Sequence, residues 1–371
     1  MKLLRLALPL MFTAAAYGLR SYANARRNSM AADNPAQPLQ TPPQALANAE
    51  MTAVLDTLAG LSGKPIASLS PEQARAQPTP ADAVKQLMAE RGISAEPVPE
   101  ITVKTIGIPG PHGQIPLHIY TPQGDGPFPV VVYFHGGGFV IADTKVYEAS
   151  VQALVNGARA VVVSVDYRLA PEHHFPVAPE EAYAAYSWVL NYAQEINGDA
   201  KRVAVAGESA GGNLAAVVSL MARNKRQPLP IHALLIYPVV DNNLQNSSYL
   251  QNAHAKPLDL AMMKWFFGHY TQFASDADNP YALPNKAQSL AGFPPTTLIT
   301  AEIDPLHSEG EAFAKRLQHD AVPVAYKHYT GVTHEFFGMG AVLAEAKDAQ
   351  AFASGELRKA FTPPAKPQDD S

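Results

Sequence analysis

Short apolar runs and amphipathic stretches alternate along this chain, and the period of the pattern changes with position. Between residues 44 and 61, Leu46, Met51, Val54, Leu55 and Leu58 recur at helical spacing. Ser70-Pro71 and Thr79-Pro80 each set a capping side chain before a proline at the first helical position. Two further helices are therefore expected, the second running to Arg91 before Gly92. This block (44–100) precedes the first strand pattern and is expected to sit apart from the sheet core.

From residue 101 the period becomes that of strands. Runs at 101–108 and 115–120 flank Pro109-Gly110-Pro111-His112-Gly113, which predicts a hairpin with a longer loop. Val- and Ile-rich runs follow at 130–134, 160–165, 203–206, 233–237 and 297–300, with helices at 180–192 and 211–223. Strands of this kind, alternating with helices, predict an α/β fold with a mostly parallel sheet covered on both faces. Residues 243–292 break the alternation. They hold Trp265, Phe266, Phe267 and Tyr270 in what reads as two helices, a helical insertion placed to roof a site. The main domain is expected to span 101–361, and no internal repeat is present.

Composition narrows the picture. The 371 residues are 47% apolar and 16% charged, with a formal net charge of −5. No basic excess is available to grip a phosphate backbone, so nucleic acid is not an expected partner. Cysteine is absent, which excludes disulfides, thiolate nucleophiles and cysteine-bound metals. At the start, Lys2 and Arg5 precede an uncharged stretch from Leu6 to Leu19, and Ala23-Asn24-Ala25 follows. This is the layout of a secretory signal peptide over 1–25. The stretch falls short of the roughly 20 residues of a membrane span, so no span is expected in the mature form. Export to the periplasm or medium is the expectation; the alternatives are an uncleaved membrane anchor, or a cytoplasmic protein with an internal start at Met30. Residues 26–43 read as a linker and 362–371 as a mobile, proline-rich acidic tail. Nothing here fixes an oligomeric state.

The chemistry is concentrated in two glycine-containing segments. Gly207-Glu208-Ser209-Ala210-Gly211-Gly212 directly follows the buried run 203–206. Such a strand-to-helix turn lifts a serine hydroxyl out of a sheet toward a base, and small residues two places either side avoid crowding it. Upstream, the run 130–134 leads into His135-Gly136-Gly137-Gly138-Phe139. Backbone N–H groups left uncovered by glycines can hold the charge that develops on a carbonyl oxygen under attack.

A serine nucleophile needs a base, and the base needs an orienting carboxylate. His307, His328 and His334 lie late enough in the chain. His328 falls in an alternating strand pattern over 324–329, and His307 in the turn Asp304-Pro305-Leu306-His307. His334 lies in a glycine-containing loop after that strand and is the choice for the base. Asp304, after the run 297–300 and before a proline, is the choice for the acid. Glu302 competes with it from the same segment, and Asp241 reads as a turn residue bonding its own backbone. His334-Glu335-Phe336 lacks the second histidine of a zinc helix, and no Walker or dinucleotide glycine pattern occurs. Neither metal nor organic cofactor is required.

Taken together, His135-Gly136-Gly137-Gly138, Asp166-Tyr167-Arg168-Leu169-Ala170-Pro171-Glu172, Gly207-Glu208-Ser209-Ala210-Gly211-Gly212-Asn213, Asp304-Pro305-Leu306 and His334 resemble the hormone-sensitive-lipase-like branch of the α/β-hydrolase fold, over about residues 101–345. The resemblance implies Ser209 as nucleophile, His334 as base and Asp304 as acid, with the amides of Gly137, Gly138 and Ala210 as the oxyanion hole. It further implies that 166–172 braces the site, with Arg168 paired to a carboxylate, and that His135 holds the glycine loop in shape. A cap would be built from the N-terminal helices and the 243–292 insertion, with Phe139, Trp265, Phe266 and Phe336 as pocket residues. Three positions depart from the pattern: His174 stands where a proline is often found, Ser308 where an acidic residue is common, and Glu335 where a small or apolar one is usual. The expected activity is hydrolysis of small-to-medium acyl esters through an acyl-enzyme. The alternatives are an amidase or peptidase type of acyl hydrolase, and a non-catalytic binding relative, against which the retained His334 argues.

Overall fold

A computed structural model describes residues 45–94 and 99–362. The expected leader (1–25), the linker (26–43) and all of the tail beyond Thr362 lie outside the described residues. Eight strands form one sheet in the order β1-β2-β4-β3-β5-β6-β7-β8. They are β1 (Ile101–Gly110), β2 (Gly113–Pro122), β3 (Phe128–Phe134), β4 (Val161–Val165), β5 (Gly198–Glu208), β6 (Ala233–Ile236), β7 (Thr296–Ile303) and β8 (Val324–Thr333). β1 and β2 pair antiparallel, as do β2 and β4, and the rest of the sheet is parallel. This is the α/β architecture that the apolar runs predict.

The β1–β2 hairpin is tighter than its five-residue turn sequence suggests. Gly110 pairs with Gly113, leaving only Pro111 and His112 at the tip. Gly113 makes this close return at φ +119, a conformation open to glycine.

Alternate residues of β3 face opposite layers. Val130, Val132 and Phe134 join a core covered by α5 (Val177–Tyr192), α6 (Ala210–Asn224) and α9 (His307–His319). Val131 and Tyr133 join a second core covered by α4 (Glu148–Ala158) and α10 (Ala344–Phe361). The helices α4, α9 and α10 are additions to the elements read from the sequence.

The N-terminal block does not sit apart from the sheet. It comprises α1 (Ala49–Gly60), α2 (Pro71–Arg75) and α3 (Pro80–Glu90), and both proline starts carry capping boxes, at Ser70 and Thr79. Met51, Val54, Ala83, Val84 and Leu87 enter the second core beside Val131 and Tyr133. The amide of Asn48 also donates to the carbonyl of Gly331 in β8, at 2.8 Å. Leu46, in contrast, precedes α1 and is 89% exposed. Burying an apolar helix face outweighs any tendency of this block to stand alone.

The 243–292 insertion contains α7 (Ser247–Gln251), α8 (Leu260–Tyr270) and two short 3-10 turns. Met263, Phe266 and Tyr270 are the buried face of α8. The indole of Trp265 donates to the carbonyl of Leu69 at 3.1 Å, which joins the insertion to the N-terminal block. Among the described residues no helix is long and apolar enough to cross a membrane.

Candidate active site

Ser209 stands between β5 and α6 with φ 55 and ψ −118, in a region that side-chain-bearing residues rarely adopt. Its amide donates to Ile236 of the next strand at 2.9 Å, and its carbonyl accepts from Asn213 and Val239. Those bonds hold the turn against its own strain. A Cβ on Gly207 would overlap the carbonyl of Gly211, and one on Gly211 would overlap the carbonyl of Phe134. Both positions require glycine because backbone passes through the space a side chain would need.

Asp304 follows β7 directly, and His334 follows β8 directly. β8 is longer than the alternation over 324–329 indicates; it continues through Gly331 to Thr333, so His334 sits at a strand end. Its Nε2 accepts from the Ser209 hydroxyl at 2.9 Å, and its Nδ1–H donates to Asp304 Oδ2 at 2.7 Å. The other Asp304 oxygen accepts from the Leu306 amide at 2.8 Å. Relative exposures are 5% for Ser209, 2% for His334 and 0% for Asp304, so the chain runs from the cleft inward. Burial pushes the imidazole down, but the Asp304 carboxylate, helped by Glu335 and Glu208, lifts it above the ordinary histidine value.

The competing acids are engaged elsewhere. Glu302 accepts from the amide of Gly331 at 2.7 Å. Asp241 binds Asn285 and Lys286 as well as the amide of Asn242, so it is more than a local turn residue. His328 stacks on His307, with ring centroids 4.4 Å apart. Ser308 hydrogen-bonds Ser247 and the amide of Ser248 in the insertion. The neighbouring Glu309 supplies a buried carboxylate, which accepts from the amides of Val240 and Asp241.

After β3, the neighbour of β5 in the sheet, Gly137 and Gly138 take φ +97 and +59, and the carbonyl of Gly137 accepts from Val140 and Ile141. Among the described residues no carbonyl takes up the amides of Gly137 or Gly138. Ala210, as the first residue of α6, likewise has a free amide at a helix start. His135 donates from Nδ1 to the carbonyl of Gly136 at 2.8 Å and stacks on Tyr167 at 4.3 Å. The Tyr167 hydroxyl donates back to the carbonyl of His135 at 2.8 Å. Arg168 pairs with the buried carboxylate of Glu181.

Of the four expected pocket residues, three lie on the cap side. The Phe266 ring lies directly on Gly138, and Phe139 stacks on Tyr270 at 3.8 Å. Trp265 packs edge-on against Phe266 and is the seam to Leu69 rather than a bare wall. Phe336 is placed differently: it is fully buried in the second core against Tyr237 and Tyr329. β8 ends at Thr333, and the left-handed Glu335 then turns the chain into a short 3-10 turn, Phe336–Met339, which carries Phe336 into the second core. A cavity of about 190 Å³ adjoins Tyr270 and is lined by Leu244, Phe267, Thr271 and Leu283. A larger groove of about 360 Å³ lies at Leu220, Arg223 and Ser289. It is near the far end of α6, about 20 Å along the helix from Ser209.

Sequence reasoning missed a buried polar cluster beside Ser209. Glu208 accepts from Tyr133 at 2.5 Å and from Tyr237. Burial first, then the nearby Glu335 carboxylate, pushes Glu208 up to about 7. The only sequence signal was a charged residue at the end of an otherwise apolar strand. Among the described residues no group of three or more histidine, cysteine or carboxylate side chains is arranged to hold a metal ion.

A strained serine at a strand–helix turn, hydrogen-bonded to a histidine and through it to an aspartate at the ends of two later parallel strands, is the arrangement of a serine hydrolase. The chain belongs to the α/β-hydrolase family, within its hormone-sensitive-lipase-like branch: the family model described as alpha/beta hydrolase fold matches residues 131–338. It is 38% identical over 278 residues to esterase LipI of Mycobacterium tuberculosis, covering 72% of this chain and 85% of that protein. Carboxylesterase NlhH of the same organism is 35% identical over 293 residues, covering 76% and 91%. Among solved structures, a hyperthermophilic esterase from Pyrobaculum calidifontis superposes with a TM-score of 0.77 at 34% identity, covering 85% and 98%. A thermostable esterase from Pseudomonas putida superposes with the same TM-score of 0.77 at 37% identity, with the same coverage.

Proposed function

We propose that the protein is a serine carboxylesterase acting on small-to-medium acyl esters, with Ser209 as nucleophile, His334 as base and Asp304 as the orienting acid. The observation that carries this is the unbroken hydrogen-bond chain Ser209–His334–Asp304. As Ser209 attacks the ester carbonyl, His334 takes its proton and Asp304 holds the imidazolium. The amides of Gly137, Gly138 and Ala210 receive the oxyanion. In acyl-transfer sites each such donor is worth about 2.7–4 kcal/mol of barrier. His334 then returns the proton to the leaving alcohol, and water repeats the cycle on the acyl-enzyme. Phe139 and Phe266, beside the glycine loop, suit an apolar acyl or alcohol group. The relatives named as esterases favour esters over amides, and the intact Ser–His–Asp chain disfavours a purely binding role.

The test is a series of p-nitrophenyl esters of rising acyl length, followed in the pre-steady state. A burst of nitrophenol with the shorter esters, absent in Ser209→Ala, is expected. Equal turnover by that variant would remove the proposed nucleophile. We further propose that residues 1–25 direct export and are cleaved. N-terminal sequencing of protein recovered from the native host tests this, and an intact Met1 in the mature protein contradicts it.

A further inference from the structure

Glu335 has φ 70, in the left-handed region that favours glycine. It nevertheless carries a carboxylate into the site. The hydroxyl of Tyr147 donates to Glu335 Oε1 at 2.7 Å, and the same oxygen lies 3.8 Å from His334 Nε2. This is the side of the imidazole opposite Asp304, and it is the nitrogen that exchanges the proton with Ser209. Tyr147 reaches further. A Cβ on Gly136 would overlap the Tyr147 hydroxyl, so that hydroxyl rests directly on the loop leading to Gly137 and Gly138. One side chain thus links the segment carrying the base to the segment carrying the oxyanion donors.

Resting on the serine-esterase reading above, we propose that Glu335 is a positioning residue that acts through His334. On the Nε2 side it steadies the imidazolium formed when Ser209 gives up its proton, and through Tyr147 it fixes the distance between the base and the glycine loop. Other ionisable groups face it from every neighbouring element. Asp304 approaches from the end of β7, and Glu208 from the end of β5. Tyr133 of β3 and Tyr237 after β6 complete the shell, with Tyr147 before α4. Glu208 has the same charge sign as Glu335, so removing Glu335 eases ionisation of Glu208 and opposes the change at His334. The pH profile reads the net of the two effects.

The experiment compares pH profiles of kcat/KM for wild type, Glu335→Gln, Glu335→Gly and Glu335→Asp on p-nitrophenyl acetate. Glycine suits the left-handed backbone, so the Gly variant keeps the fold while deleting the carboxylate. Loss of a charge at this distance is expected to move the acid limb to lower pH by about one unit in the Gln and Gly variants. The plateau kcat should fall about tenfold with KM changed less than about twofold. Asp, which keeps the charge, should leave the limb nearer to wild type. An acid limb that stays in place in both Gln and Gly variants overturns the proposal, whether or not kcat falls, because a merely structural residue would give that result. Ser209→Ala, run alongside, judges the esterase reading separately: cleavage persisting there defeats that reading, whereas an unmoved limb defeats only the role of Glu335.

Discussion

Arg75 and Glu172 lie 97 residues apart in sequence and meet as a two-point ion pair, at 2.8 and 2.7 Å. The same guanidinium donates to the carbonyls of Val140 and Ala170, at 2.8 and 2.9 Å. The last residue of α2 therefore binds both the loop beyond Gly137 and Gly138 and the loop that carries Ala170 and Glu172. The pair itself is partly exposed and contributes little. The two carbonyl bonds matter more. Arg75→Ala is expected to cost about 1–3 kcal/mol of stability, measured by urea denaturation, and to lower kcat through the displaced loop. Glu172→Ala, which leaves the carbonyl bonds in place, should cost much less; equal losses would mean that the ion pair dominates.

Asp304→Asn should leave the fold intact and lower kcat by roughly 10⁴-fold, because the amide no longer fixes the imidazole tautomer. Steady-state kinetics with circular dichroism as a fold control checks this. A loss under tenfold would indicate that Glu302 or another carboxylate takes over.

The pH dependence has opposite signs for activity and stability at His334. Catalysis needs the neutral imidazole, so kcat/KM should rise with pH through a value above the ordinary 6.5. The protonated imidazole is the form the folded protein favours. Its stabilisation is therefore complete below the unfolded value and lost as pH rises through the raised folded value.

Glu208 adds to that slope. Its folded value is lifted from 4.5 to about 7, so the folded state binds the proton more tightly. Stability should accordingly fall as pH rises from about 4.5 to about 7. Thermal melts of wild type and Glu208→Gln between pH 4.5 and 8 test this. The variant should lose part of the slope, and an unchanged slope would assign it wholly to other groups.

Gly138→Ala places a Cβ in the Phe266 ring at φ +59. Either the glycine loop or α8 must move, and kcat is expected to fall about 10²- to 10³-fold, as when one oxyanion donor is lost. Pairing it with Phe266→Ala relieves the overlap but not the backbone strain, so recovery should be partial. Full recovery would show that only the ring contact matters.

Much of this site was legible because its signals are local. Ser209 is announced by the strand before it and the small residues around it, and the prolines at 71 and 80 mark helix starts that the capping boxes then occupy. Long-range burial was not legible. Nothing near Met51 or Leu87 says that their faces will cover the sheet, and nothing near Phe336 says which layer it will enter. The tyrosines around Glu208 come from β3 and from the residue after β6, so only the assembled sheet brings them together. Helix α4 is hard to read from sequence because its apolar face is built from Val151, Leu154 and Val155, between two stronger strand signals.

Ser209, Asp304 and His334 each follow the end of a different strand, whereas Trp265, Phe266 and Tyr270 ride on α8. In the proposed reading, chemistry and selectivity thereby fall to different elements of the fold. Substitutions in α8 away from Phe266, whose ring rests on Gly138, are expected to retune which acyl chains are accepted while the reacting atoms keep their alignment, and directed evolution of this scaffold has its most productive ground there.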